Sequence, residues 1–96
     1  MQEQQVQISM DEKTAGGVYS NVAVISHNEN EFILDFIFVQ PPIGKVNSRV
    51  IMSPSHAKRF LKALEQNIAM QESKHGVIKE SKDPPMMGLN FNLGKN

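Results

Sequence analysis

The chain has 96 residues, ten Lys and Arg against ten Asp and Glu, 40% hydrophobic residues and no cysteine. That length makes one small domain with a modest core. The neutral balance argues against a bulk nucleic-acid binder, and the missing cysteines exclude a disulfide framework, a thiol nucleophile and a Cys-based zinc site.

No apolar run approaches the ~20 residues of a membrane span, and the polar start M-Q-E-Q-Q is not a signal peptide. The expected location is the cytoplasm, with no membrane partner. Residues 1–5 are expected to fray. Val6, Ile8 and Met10 alternate with Gln5, Gln7 and Ser9, which predicts a half-buried strand at a sheet edge. Asp11 to Gly17 reads as a polar connector ending in a pair of glycines.

Val18 to His27 is rich in β-branched residues and reads as a second strand, and Asn28-Glu29-Asn30 as a tight turn. Glu31 to Val39 is the strongest strand signal. Phe32, Leu34, Phe36 and Phe38 share one face, while Ile33, Ile37 and Val39 share the other with Asp35. A strand apolar on both faces belongs in the middle of a sheet with cover on both sides. One helix covers only one face, so a homodimer or a subunit role is expected. Gln40 to Gly44 is a Pro- and Gly-enforced loop, and Lys45 to Met52 a fourth strand, antiparallel to the third.

The helix start is explicit. Ser53 offers a hydroxyl to the free amides of a first turn and Pro54 sits where its missing N–H costs nothing. Ala57, Phe60, Leu61, Leu64 and Ile68 recur at spacings of three and four, one apolar stripe. Gly76 terminates the helix, with Lys74 and His75 in its last turn, so the helix is placed at 54–75. The expected fold is α+β: a four-stranded, mainly antiparallel sheet with one long C-terminal amphipathic helix packed on it. The domain is read as 6–76. Residues 77–96 are read as a linker and an extended mobile tail, in which Met87, Leu89, Phe91 and Leu93 alternate with small and polar residues. Such a segment suits addition to a sheet edge, its own or a partner's.

The sequences G-V-Y-S-N-V-A-V-I-S-H (17–27), E-F-I-L-D-F-I-F-V (31–39) and S-R-V-I-M-S-P-S-H-A-K-R-F-L-K-A-L-E-Q-N-I (48–68) resemble a small bacterial and archaeal family called domain of unknown function 3467. The resemblance runs over residues 6–76. Its most specific pieces are Y-S-N (19–21), Asp35 and S-P-x-H-A-K (53–58). It implies a mainly β domain closed by a helix and supplies no catalytic residue or cofactor. In one branch of the family the genes lie beside those for RNA polymerase subunits and ribosomal proteins, which implies a partner in transcription or translation.

The candidate residues follow. Asp35 needs hydrogen bonds or a cation if buried; Arg49 and Asn21 are the expected members of a buried polar clasp around it. Lys45, Arg49, Lys58, Arg59 and Lys62 are five cations in eighteen residues without one acid. His56, Lys58, Arg59 and Lys62 lie in the first turns of the helix, where acids would be favoured, and together these residues suit an acidic partner surface. Met87, Leu89, Phe91 and Leu93 are the second contact candidate. His27, His56 and His75 are too widely spaced for a local metal motif. No residue is assigned to catalysis, a cofactor or a metal.

The leading expectation is a non-enzymatic protein-interaction module, an accessory factor of RNA polymerase or the translation machinery. The alternatives are RNA or DNA binding through the basic residues of 45–62, and a small-ligand binder or enzyme centred on Asp35 and Tyr19.

Overall fold

The computed structural model describes residues 4–80. Within them the elements are α1 (Glu12–Ala15), β1 (Val22–His27), β2 (Phe32–Gln40), β3 (Ile43–Met52) and α2 (Pro54–His75). The fold is α+β, an antiparallel sheet followed by a C-terminal helix. The sheet has three strands in the order β1-β2-β3, not the four expected. The strand read at 6–10 is absent: this stretch joins no ladder among the described residues, and alternation makes a segment fit to pair without supplying the ladder bonds that define a strand. The connector after it holds one helical turn, α1, capped by Asp11, whose Oδ1 accepts from the Thr14 N–H at 2.7 Å. Those bonds to Thr14 hold the Asp11 carboxyl below its usual range.

The two hairpins are built by local chemistry. At the first turn Asn28 Oδ1 accepts from the backbone N–H groups of Asn30 and Glu31, at 2.8 and 2.9 Å. An Asx side chain thereby replaces backbone partners that the turn leaves free. The second turn is Pro41-Pro42, joined by a cis peptide bond, between the paired residues Gln40 and Ile43. The β2–β3 ladder shifts register between Phe36 and Ile37, so that Phe36 faces Ser48 and Ile37 faces Val46. Asn47 is the extra residue of this bulge, and its Nδ2 donates to the Tyr19 carbonyl at 2.9 Å. A bulge re-aims one side chain off the ladder, here onto the segment entering β1.

That segment is fastened to β2 by side chains that imitate backbone. Asn21 Oδ1 accepts from the Val39 N–H and Asn21 Nδ2 donates to the Val39 carbonyl, both at 2.9 Å. The Asn21 N–H donates to the Ile37 carbonyl at 3.1 Å. The Ser20 hydroxyl lies 2.9 Å from the Val22 carbonyl and 3.1 Å from that of Ile37. Y-S-N is thus a strand extension that closes the ladder beyond Val22.

The chain divides into two compact units, Met1–Lys62 and Ala63–Asn96, and α2 runs through the division. In the first unit the core is small. Leu34, Ile37 and Met52 are its buried hydrophobic residues and Asp35 its buried charged one. Phe32, Ile33 and Phe36 are half-buried. The helix has the bounds its sequence signals give. The Ser53 hydroxyl accepts from the His56 N–H at 3.1 Å, and Gly76 ends it at a φ of 92°, where a side chain would be strained. No residue of α2 is buried, and the stripe residues Leu61, Leu64 and Ile68 are 58%, 46% and 41% exposed. In the second unit the helix end is tied by Glu72, which accepts from the Ile78 N–H at 2.9 Å through Oε2.

The fastening by Asn21 generates a prediction. Asn21→Ala removes two hydrogen bonds, which costs about 1–2 kcal/mol and lowers Tm by about 4–8 °C per kcal/mol in a domain of this size. Asn21→Asp, which retains only the acceptor, should fall between. Thermal melts followed by circular dichroism check this order; an unchanged Tm in Asn21→Ala would show that the rung carries no stability.

Candidate functional site

Three features of the described residues have chemical content: a charged pair in the sheet, a basic helix start, and an apolar groove beside that helix start. The pair follows from register. Asp35 stands directly opposite Arg49 on β3 and Val24 on β1. The Arg49 Nε donates to Asp35 Oδ1 at 2.6 Å and Nη2 donates to Oδ2 at 2.9 Å, a bidentate fork that fits guanidinium to carboxylate. Asp35 is 4% exposed, whereas the Arg49 side chain is 49% exposed. The arginine therefore reaches inward from water to a carboxylate embedded among apolar neighbours, its own stem covering them. Hydrogen bonds from Arg49 hold the Asp35 carboxyl below its usual range against the opposing effect of burial, and the same bonds raise Arg49. Among the described residues no buried side-chain nitrogen or oxygen lacks a partner.

Of the expected clasp, Asp35 and Arg49 are brought together and Asn21 is not. Asn21 is exposed and spends its amide on Val39. Tyr19 is likewise separate from Asp35. Its ring meets Phe38 edge-on, centroids 5.9 Å apart at 75°. Successive residues of a strand point to opposite faces, so Phe38 and Asp35, an odd number apart on β2, serve different faces of the sheet. Tyr19 and Asp35 thus share no cleft.

The basic residues are also redistributed. Lys45 stands opposite Phe38, near the Pro41-Pro42 turn, while Met52, which leads into the helix, stands opposite Phe32. That separates Lys45 from the helix start by about 20 Å of strand. Arg49 is engaged by Asp35. Arg59 Nη1 donates to Ser55 Oγ at 2.7 Å, tying that cation to its own first turn. Lys58 and Lys62, one turn apart, are exposed, as is His56. The run that looks contiguous in sequence is, in space, two lysines beside each other and three cations placed or occupied elsewhere. The tail candidates Met87, Leu89, Phe91 and Leu93 lie outside the described residues.

The sequence reading did not identify a groove of about 340 Å³ lined by Phe32, Pro54, Ala57, Lys58 and Leu61. Its floor is apolar. Phe32 is backed by His27, whose ring stacks on it at 5.5 Å with 28° between planes, and Lys58 supplies a cation to the lining. The groove arises because Met52 ends β3 opposite Phe32 and Ser53-Pro54 starts the helix at once, setting the first apolar turn beside the aromatic. The signal was present in Phe32 and in the helical spacing of Ala57 and Leu61. What sequence could not show was that Leu61 stays exposed.

Among the described residues no group of three or more His, Cys, Asp or Glu is placed to hold a metal ion, and no helix is long and apolar enough to cross a membrane.

A family model described as "Protein of unknown function (DUF3467)" matches residues 1–80 of the chain. No curated protein and no solved structure matches it.

The ion pair generates a pH prediction. The folded-state pKa of Asp35 lies below the ordinary 3.8. Its contribution to stability is therefore complete above that value and is lost as pH falls below it, through the lower folded pKa. Arg49→Ala strands the buried carboxylate, whereas Asp35→Ala leaves an arginine that can turn to water. Arg49→Ala should lower Tm more at pH 7. Its deficit against the unsubstituted chain should shrink as the pH falls below the ordinary 3.8 and on through the lowered folded pKa of Asp35. Melting curves of the three proteins between neutral and acid pH check this, and a deficit that did not change with pH would mean the pair contributes nothing electrostatic.

Proposed function

The chain belongs to the family described as protein of unknown function (DUF3467), and we propose that it acts as a non-enzymatic protein-interaction module that receives a partner on its helix. The observation that carries this reading is the exposed helical stripe. Leu61, Leu64 and Ile68 recur on one side of α2 and all are substantially exposed. An amphipathic helix gains most of its stability from burying such a stripe, so a helix of 22 residues with none of them buried is a surface awaiting cover. The groove at Phe32 and Leu61 extends the apolar surface within the first unit and offers a pocket for an anchoring side chain. Lys58 in the groove lining and Lys62 one turn on give the approach a positive field, which favours an acidic partner and speeds encounter more than it adds affinity. RNA polymerase or ribosome-associated proteins, implied by the genes beside family members, are the first partners to seek.

The test is a pull-down of tagged full-length protein from native lysate, treated with nuclease, beside a Leu64→Glu variant. Leu64 is exposed, so the substitution should leave Tm within a few °C while abolishing capture of specific, nuclease-resistant proteins. Lys58→Ala with Lys62→Ala should weaken capture less, and mainly at low salt. Capture that survives Leu64→Glu would refute the helix as the docking surface. Partners lost on nuclease treatment would replace this reading with nucleic-acid binding, whose affinity should fall steeply with salt.

A further inference from the structure

The stretch Gln5–Met10 is left unexplained by a partner on the helix. It has the period-two alternation of a strand, yet Val6, Ile8 and Met10 are 79%, 89% and 68% exposed, and it pairs with no strand among the described residues. The same chain carries an unused template. β3 is the longest strand at ten residues and lies at the sheet edge. Among the described residues its outer backbone N–H and C=O groups face no neighbouring strand, and Val46, Val50 and Ile51 on it are exposed. A long edge with exposed apolar side chains is the type of edge to which another strand adds.

We propose that two copies of this chain exchange these segments, the Gln5–Met10 stretch of each adding as a fourth strand to the outer edge of the other's β3. Three observations choose a second copy over an unrelated partner. First, donor and acceptor reside in one chain, so reciprocal exchange about a two-fold axis satisfies both and closes. A different protein on β3 would leave the donor still exposed. Second, the connector is already beside the acceptor. Lys13, Thr14, Gly17 and Val18 line a shallow cavity with Asn47 and Ser48 of the same chain's β3, yet the donor before them pairs with no strand of its own sheet among the described residues, so the β3 edge left for it is another copy's. Third, the lengths suit: a donor of six residues spans about 20 Å in extended form, and beyond its bulge at Asn47 β3 offers the regular run Ser48 to Met52 for it to pair with. The exchange would also add apolar cover to a core whose buried hydrophobic members, among the described residues, are Leu34, Ile37 and Met52. Because the side-chain period is two, a donor that faces Gln7 and Ser9 toward the Asp35–Arg49 side brings Val6, Ile8 and Met10 to the side of Leu34, Phe36 and Val50. The proposal is independent of the helix as docking surface, and each can fail without the other.

The experiment is light scattering and amide hydrogen exchange on the full chain, with Ile8→Pro as the variant. Expected are a particle of twice the 10.8 kDa chain mass and slowed exchange at residues 5–10 and along the outer edge of β3, with protection that fades on dilution. Proline removes a ladder donor without touching any bond of the described fold, and it should raise the dimer dissociation constant by about 100-fold while the β-sheet signal in circular dichroism persists. If the variant loses that signal, the exchange pattern of the unsubstituted chain decides instead. A monomer with rapid exchange at residues 5–10 overturns the proposal. So does a dimer unaffected by Ile8→Pro in which those amides remain unprotected.

Discussion

The sheet depends on β2, which among the described residues has a neighbour on each edge, and β2 carries its own difficulty. Its side chains are apolar on both faces, and one of them is a carboxylate buried at 4% exposure. That carboxylate imposes a condition on the rest. A buried charge is tolerated only when paired and hydrogen-bonded, and Arg49 meets the condition only in the observed register. Slipping β3 by one residue would move Arg49 to the opposite face and leave Asp35 alone among Leu34, Phe36 and Ile37. The pair therefore acts as a register pin more than as a source of stability, since the arginine half of it remains solvated. The bulge at Asn47 has a related effect. It absorbs a mismatch between the strands beyond Phe36 and turns a side chain toward Tyr19, so that the incoming segment and β3 are tied at one point.

With register fixed, cover becomes the limiting quantity. A three-stranded antiparallel sheet can leave one face wet if that face is polar. Here neither is: Ile25, Val50 and Phe38 lie on one face and Val46 and Ile51 on the other, all exposed. In the second unit the helix stripe is open as well. Among the described residues these surfaces are exposed, and the proposed assembly would be one physical route to covering them. The arrangement resembles the general problem of small domains, in which too little surface is buried for the length of chain that must be ordered.

Much of this was legible in the sequence where the signal was local. The bounds of α2 follow from Ser53, Pro54 and Gly76 because caps and breakers act within a turn of chain. β2 was legible from its run of Phe, Ile and Leu, and the Asp35–Arg49 pairing from a short connection between antiparallel strands. What failed was non-local. Asp35 faces Val24 in a register set by the Asx turn that Asn28 holds, a property of the closed hairpin and not of either strand. Asn21 was assigned to the carboxylate and instead completes a rung with Val39, a choice between two acceptors that only the fold decides. The cations of 45–62 looked like one patch because they are near in sequence, and a ten-residue strand carries Lys45 away from Lys58. The strand read at 6–10 shows the same limit from the other side: alternation reports that a segment is fit to pair, and says nothing of which chain holds the edge.

The two open surfaces have a consequence when taken together. The strand edge and the helix stripe involve different residues, so occupying one leaves the other free. In a strand-exchanged pair each assembly would present two helix stripes where a single chain presents one. A partner carrying two matching sites, or two partners held close, would then bind with an effective concentration set by the spacing of those sites, which can raise avidity by 10²- to 10⁴-fold without a new contact. Stripes that are individually modest, with side chains about half exposed and only two lysines free beside them, gain most from such doubling. Under the proposed exchange, the step that adds a fourth strand to the sheet would also make the assembly multivalent.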